Sequence, residues 1–386
     1  PSEIIFTSGG TESNNYAIKG LALARRSQGN HIITSSIEHP AVTEVCKYLE
    51  NLGFQVTYLG VDSKGLVDPA ELEAALTPHT ILISIMHANN ETGSIQPIEE
   101  ISRIARKNRI AMHTDAAQSL GKIPVTVTAL ECDLLSIAGH KLYAPKGIGA
   151  LYIRSGLQLE KQIHGADHEL NMRAGTENVL EIVGLGKACE LISQNLETYQ
   201  AHMKKMRDRL EEKLLDAYPE SRINGHPEKR LPNTLSISFP GLEANTILSE
   251  LTAVAASAGA ACHSDQIDVS HVLRAMKVPQ EVAMGTIRLS TGRTTTAKDI
   301  DLATEALIEV VHRLQPQEKM LYVAMGEEEI KLTRYTHGLG CACKLRPQLL
   351  EEVLKKLPTV NDAKLLVGPE SSDDAAVYQL TDDTAI

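Results

Sequence analysis

The stretch Ala111–Arg154, AMHTDAAQSLGKIPVTVTALECDLLSIAGHKLYAPKGIGALYIR, decides the fold. It holds three strand-like runs, AMHTDA, DLLSIAG and GALYIR, and toward the N-terminus EIIFTS, HIITSS and TILISIMH extend the series. Helical patterns such as NYAIKGLALARR and IEEISRIARKN alternate with them. Strand and helix in turn predict an α/β fold with a mainly parallel sheet covered by helices.

The pattern changes from about Asn195 to a long charged helix, ETYQAHMKKMRDRLEEKLLDAY, then strand-like TLSISF and further helices ending near Leu314. A smaller α+β domain is predicted there. The polar run QPQEK (Gln315 to Lys319) reads as a linker. Beyond it GEEEIKLTRYTHGLGCACK opens a Gly- and Cys-rich segment unlike anything earlier. The expected division is residues 1–195, 196–314, a linker over 315–328, and 329–386.

With 386 residues, 42% of them hydrophobic and 23% charged, the chain can bury a sizeable core. A net charge of −11 without long single-sign runs argues against a nucleic-acid binder, which needs clustered Lys and Arg. No apolar run reaches the roughly 20 residues that span a bilayer, and PSEIIFTSGG lacks signal-peptide zones. These features predict a cytoplasmic protein that handles small molecules. The six cysteines are sparse for this length, so they read as reduced thiols rather than a disulfide framework. Starting at Pro1 and stopping at Ile386, the chain is expected to be part of something longer.

Several residues have chemical potential of their own. SGGTESNN (Ser8 to Asn15) joins a strand to a helix, so the N–H groups of Gly9, Gly10 and Thr11 can face an anion such as phosphate, or simply make a turn. Asp115 ends a strand, where open α/β sheets place ligand-binding groups; read alone, it serves equally as a helix cap. Lys141 follows a strand in a loop rich in glycine, where it is either solvated or buried and able to form a Schiff base. Cys262 lies in ASAGAACHSD beside His263, which could lower its pKa, although a lone cysteine is more often a small buried hydrophobe.

Taken together, GGTESNN, SIEHPAV, HANNETGSIQPI, HTDAAQSLGKIPV, AGHKLYAPKGIGALYIR, RAGTENV, SAGAACHSD and IRLSTGRTTT resemble the cysteine desulfurase and selenocysteine lyase family, over residues 1 to 314. The resemblance implies an aminotransferase-like fold, pyridoxal 5'-phosphate (PLP) as cofactor and a homodimer. It implies that Lys141 binds PLP, Asp115 pairs with the pyridine nitrogen and His39 stacks on the ring. Asn90 and Gln118 would bond the ring oxygen region, and Gly10, Thr11 and His140 the phosphate. Thr176 would reach the phosphate of the neighbouring subunit. Arg288 is the implied clamp for the substrate carboxylate, with Arg293 a weaker candidate, and Cys262 the nucleophile. The family normally begins with a further N-terminal stretch that contributes substrate-site residues.

GAACHSD and the apolar Ala138, where desulfurases commonly carry serine, tilt the expectation toward selenocysteine over cysteine. IKLTRYTHGLGCACKLRPQLLEEVLKKLP with LLVGPESSDDAAVYQL also resembles the start of selenophosphate synthetase, over about residues 329 to 386. That resemblance implies Cys341 as the selenium-handling position, Lys344 as the catalytic lysine and Asp374 as a magnesium ligand. ATP and Mg belong only to a complete synthetase, so no kinase activity is expected. The tight C-A-C spacing of Cys341 and Cys343, with no second pair, argues against zinc. The expected function is removal of selenium or sulfur from selenocysteine or cysteine to give alanine, with the fused segment as a selenium acceptor. The alternatives are a desulfurase forming a Cys262 persulfide, and a non-catalytic carrier of selenium or sulfur.

Overall fold

The computed structural model describes residues 1–263 and 266–315, and beyond them three short strands at 365–367, 377–381 and 384–385. In chain order the first part runs β1 (Ile4–Thr7), α1 (Gly10–Ala24), β2 (His31–Ser35), α2 (Pro40–Asn51), β3 (Gln55–Leu59), α3 (Pro69–Ala74), β4 (Thr80–Ser84), α4 (Ile98–Lys107), β5 (Ala111–Asp115), α5 (Val127–Leu130), β6 (Leu134–Ala138) and β7 (Gly149–Ile153). It continues through α6 (His168–Asn171), α7 (Val179–Ala217), β8 (Arg222–Ile223), β9 (Thr234–Ser238), α8 (Ala244–Glu250), β10 (Ser257–Ala258), β11 (Ala260–His263), β12 (Gln266–Val269), α9 (His271–Ala275), α10 (Gln280–Ala283), β13 (Thr286–Ser290) and α11 (Ala297–Leu314).

Seven strands form one sheet in the order β1-β7-β6-β5-β4-β2-β3. The five from β3 to β6 are parallel, whereas β7 runs antiparallel to both β6 and β1. The α/β fold with a mainly parallel sheet expected from the sequence is therefore present. Strands β2, β4, β5 and β7 are buried along their whole length, as expected when helices cover both faces. Ile32 and Leu82 pack on one face with α1 and α2, and Ile33 and Ile83 on the other with α3 and α4.

A second, antiparallel sheet has the order β10-β13-β9-β8 and buries Leu235, Ile237, Ile287 and Leu289 against α7, α8 and α11. Helix α11 opens on a capping box in which Thr296 and Asp299 exchange side-chain and backbone bonds. Residues Pro1–Gln315 form one compact unit and Pro316–Ile386 another. Helix α7 runs unbroken through residue 195, so the charged helix read from the sequence begins earlier, at Val179. The expected linker beyond Gln315 and most of the segment 329–386 lie outside the described residues.

Candidate active site

Because β2, β4, β5 and β6 are parallel, their C-terminal ends share one edge of the sheet, and the residues following them converge. His39 follows β2, Met86 and Ala88 follow β4, Asp115 ends β5, and His140 and Lys141 follow β6 in a tight turn over Gly139–Leu142. With Gly10, Thr11 and Asn14 from α1, and with Asn90, Gln118 and Arg288, they line a cavity of about 300 Å³. A crevice outside the carboxyl ends of the strands is where open α/β sheets bind ligands.

Asp115 is only 7% exposed. Its Oδ2 accepts a 2.7 Å hydrogen bond from Asn14 Nδ2 and its Oδ1 one of 2.9 Å from the Ala117 amide. Burial nevertheless dominates and pushes the carboxyl above its usual range, against the pull of those two bonds and of His39 and Lys141. Such a carboxylate is suited to a cationic N–H partner. Lys141 is displaced the other way: burial lowers it most, Arg288 lowers it further, and Asp115 opposes both. An amine held below the ordinary lysine range is a better nucleophile and base near neutral pH.

His39 caps α2 by accepting from the Ala41 amide at Nδ1, at 3.0 Å. That bond assigns the ring proton of the neutral form to Nε2, and burial keeps the ring's pKa low, favouring that form. Arg288 is anchored by Nη1 donating to the Asn90 carbonyl at 2.9 Å and Nη2 to Ser257 Oγ at 3.1 Å. The backbone at Gln118 is braced from behind by Lys122, whose Nζ donates to the Gln118 main-chain carbonyl at 2.7 Å; burial, then Lys141, lowers Lys122 to about 8.

Three features fit a phosphorylated, cationic heterocycle. Helix α1 starts at Gly10 with no side-chain cap, which leaves first-turn N–H groups for an anion. The buried Asp115 carboxyl would supply the counter-charge for a ring nitrogen. Asn14 Oδ1 is buried beside it without a hydrogen-bond partner.

The residues Gly10, Thr11, His39, Asn90, Asp115, Gln118, His140, Lys141 and Arg288, predicted from sequence, all line this one cavity. Ala138 lines it too, and a Cβ on Gly10 would stand 3.1 Å from Ala138 Cβ, so that position does border the uncapped turn. Thr176 is exposed and outside the lining. Arg293 is also outside it, stacked 4.2 Å from the centre of the Tyr143 ring. Cys262 sits on β11 opposite Ile267 of β12, while its side chain, Cys341, Lys344 and Asp374 lie outside the described residues. Cys46 and Cys132 are buried, and burial pushes both thiols up to about 12. Asn14 escaped sequence reasoning, although its place one helical turn after Gly10 was a usable sign.

The class V aminotransferase family model matches residues 1–302. A cysteine desulfurase IscS from Methanosarcina thermophila is 51% identical over 316 residues, covering 81% of this chain and 78% of that protein. Among solved structures, a NifS-like protein is 40% identical with a TM-score of 0.76, covering 81% of this chain and 84% of that one. A structure of SspA in complex with cysteine is 39% identical with a TM-score of 0.66, covering 77% and 83%.

Proposed function

Since the chain belongs to the class V aminotransferases, in their cysteine desulfurase family, we propose that it removes sulfur from L-cysteine with pyridoxal phosphate and releases L-alanine. The observation that carries this reading is the convergence of Lys141, Asp115, His39 and Arg288 on one cavity beside the uncapped start of α1. Gly10, Thr11 and His140 would hold the phosphate, Asp115 the pyridine nitrogen, His39 the ring face, and Asn90 and Gln118 the ring oxygen. When bound, the cofactor supplies an electron sink for the charge left at the substrate Cα.

Arg288 presents two donors to the substrate carboxylate and so fixes which Cα bond faces Lys141. The Lys141 amine, lowered by burial and by Arg288, takes the Cα proton. Asp115 pulls the Lys141 pKa back up, but by less than burial and Arg288 push it down. The Cys262 thiolate then attacks the substrate sulfur: the S–S bond forms as the substrate Cβ–S bond breaks, its electron pair stays on the carbon side, which is protonated to give alanine, and the persulfide is left on Cys262. The buried thiols of Cys46 and Cys132 are poor rivals because so little thiolate exists there at neutral pH.

Thr176 and the neighbouring Val179, Leu180 and Val183, 64 to 78% exposed, support a homodimer in which Thr176 serves the partner's phosphate. A second reading, selenocysteine as substrate and selenium passed to Cys341 of a fused synthetase start, rests on the sequence of residues 329–386, on GAACHSD and on Ala138. The relatives are named for cysteine, so sulfur leads. Incubating the cofactor-loaded protein with cysteine and with selenocysteine separates these readings. Alanine formed from cysteine and lost in Lys141→Ala is the expected result. Alanine from selenocysteine alone would replace the sulfur reading, and alanine undiminished in Lys141→Ala, or none from either, would reject the enzyme.

A further inference from the structure

We infer that Tyr143 and Arg293 form a latch that holds the Lys141 turn against the Arg288 strand, making both positioning residues for the reaction proposed above, on which this inference rests. Tyr143 ends the turn that carries Lys141 and has φ 65 and ψ 19. A bulky aromatic residue in the left-handed region is a backbone cost that something must offset. Core burial does not, because Tyr143 is 52% exposed.

What the conformation achieves is contact with the chain just beyond β13, the strand of Arg288. The Arg293 amide donates to Tyr143 Oη at 3.1 Å, and the Arg293 guanidinium lies 4.2 Å from the ring centre. The same guanidinium is 5.7 Å from the ring centre of Tyr199 on α7. A Cβ at Gly292 would stand 2.8 Å from Tyr143 Oη, so glycine there lets the phenol reach the backbone. The receiving turn is itself fixed: the Gly292 amide donates to Thr295 Oγ1 at 2.9 Å, and His202 Nε2 of α7 engages the Thr295 carbonyl at 2.8 Å.

One end of the latch is thus bonded to the turn of the amine that moves the proton, and the other to the strand whose arginine takes the carboxylate. A loosened latch lets Arg288 drift relative to Lys141. Substrate orientation suffers first, and the repulsion that keeps Lys141 low weakens with it. Neither latch residue lines the cavity, which is why both are assigned to positioning.

The test uses Tyr143→Asn, Tyr143→Phe, Arg293→Gln and the double variant Tyr143→Asn/Arg293→Gln in the whole protein. Asparagine tolerates the left-handed region, so the turn is kept while the ring is lost. Tyr143→Asn is expected to raise KM for cysteine about 10-fold with kcat within about 3-fold, an effect the size of one cation–π contact plus one hydrogen bond. The pH at which the visible absorbance of the lysine-bound cofactor changes should move up. Tyr143→Phe, which keeps the ring over Arg293, should change KM by less than about 3-fold, and the double variant should be no worse than Tyr143→Asn.

In the cofactor-free protein, amide exchange over residues 139–147 should quicken in Tyr143→Asn and Arg293→Gln alike. Unchanged KM, absorbance and exchange in Tyr143→Asn overturn the latch, as does a lowered melting temperature with nothing else altered. If the parent protein itself neither takes up the cofactor nor forms alanine, the proposed function has failed, and the exchange experiment still decides the latch.

Discussion

Asn14 Nδ2 lies 2.7 Å from Asp115 Oδ2, so helix α1 is bonded directly to the acid that ends the central strand β5. This bond lowers Asp115 against the rise caused by burial. Asn14→Ala should therefore leave the acid more protonated and a poorer partner for a ring N–H. A hydrogen bond to a charged group contributes about 1.5–3 kcal/mol, which predicts cofactor affinity reduced about 10- to 100-fold. Titrating the cofactor-free variant with pyridoxal phosphate measures it directly; unchanged affinity would mean that Asn14 only supports α1.

Arg288 affects both substrate and base. Its positive charge disfavours the proton on Lys141, so Arg288→Leu should raise the Lys141 pKa. The amine then becomes neutral only at higher pH, and the acid limb of the kcat profile should move upward. KM for cysteine should also rise about 100-fold or more, since a charge-assisted bidentate contact is lost. A variant with a raised KM and an unmoved acid limb would show that the two side chains do not communicate.

The positions of Asp115 and Lys141 were legible because one ends and the other follows a strand-like run, and parallel strands put such residues on one edge, whereas His39 was marked only by the family resemblance of SIEHPAV. The start of α7 was not legible. Gly184 and Gly186 interrupt an otherwise good helix, and glycine is a poor helix former. Gly184 has a tertiary reason to be there: a Cβ would approach Pro145, in the Lys141 loop, to 2.8 Å. Tyr143 and Arg293 were missed as a pair for the same kind of reason. Their contact spans 150 positions, and no local period reports it.

Glu38 is fully buried, with Oε1 accepting from Ser35 Oγ at 2.6 Å and from the Met86 amide at 3.0 Å, and with Oε2 unpartnered. Burial raises it to about 8 from 4.5. The folded state thus holds the proton longer than the unfolded state does. Below pH 4.5 both states are protonated and the group is neutral in its effect. As pH rises from there to about 8 the unfolded state binds fewer protons, so stability is lost across that window. Glu38→Gln should remove the loss, so its urea midpoint relative to the parent should climb between pH 5 and 8 and level off above. A difference that is flat over that range would place Glu38 as an ordinary carboxylate.

Gly149 opens β7 at the point where three backbones meet. A Cβ there would stand 2.6 Å from the Ile137 carbonyl oxygen and 2.7 Å from Gly9 Cα. Both obstacles are main chain, so neither can rotate away. Gly149→Ala must either part β7 from β6 or push back Gly9, the residue that caps α1. Overpacking of this kind typically costs about 1–3 kcal/mol of stability. The displaced Gly9 carries the amides of Gly10 and Thr11 with it, so affinity for pyridoxal phosphate should fall by more than the variant's own stability loss explains. Gly186→Ala is the control, because a Cβ there meets nothing within 4 Å in the interior of α7; it should stabilise by about 0.5–1 kcal/mol and leave affinity alone. If Gly149→Ala binds the cofactor as tightly as the parent does, the turn from β1 into α1 is not what grips the phosphate.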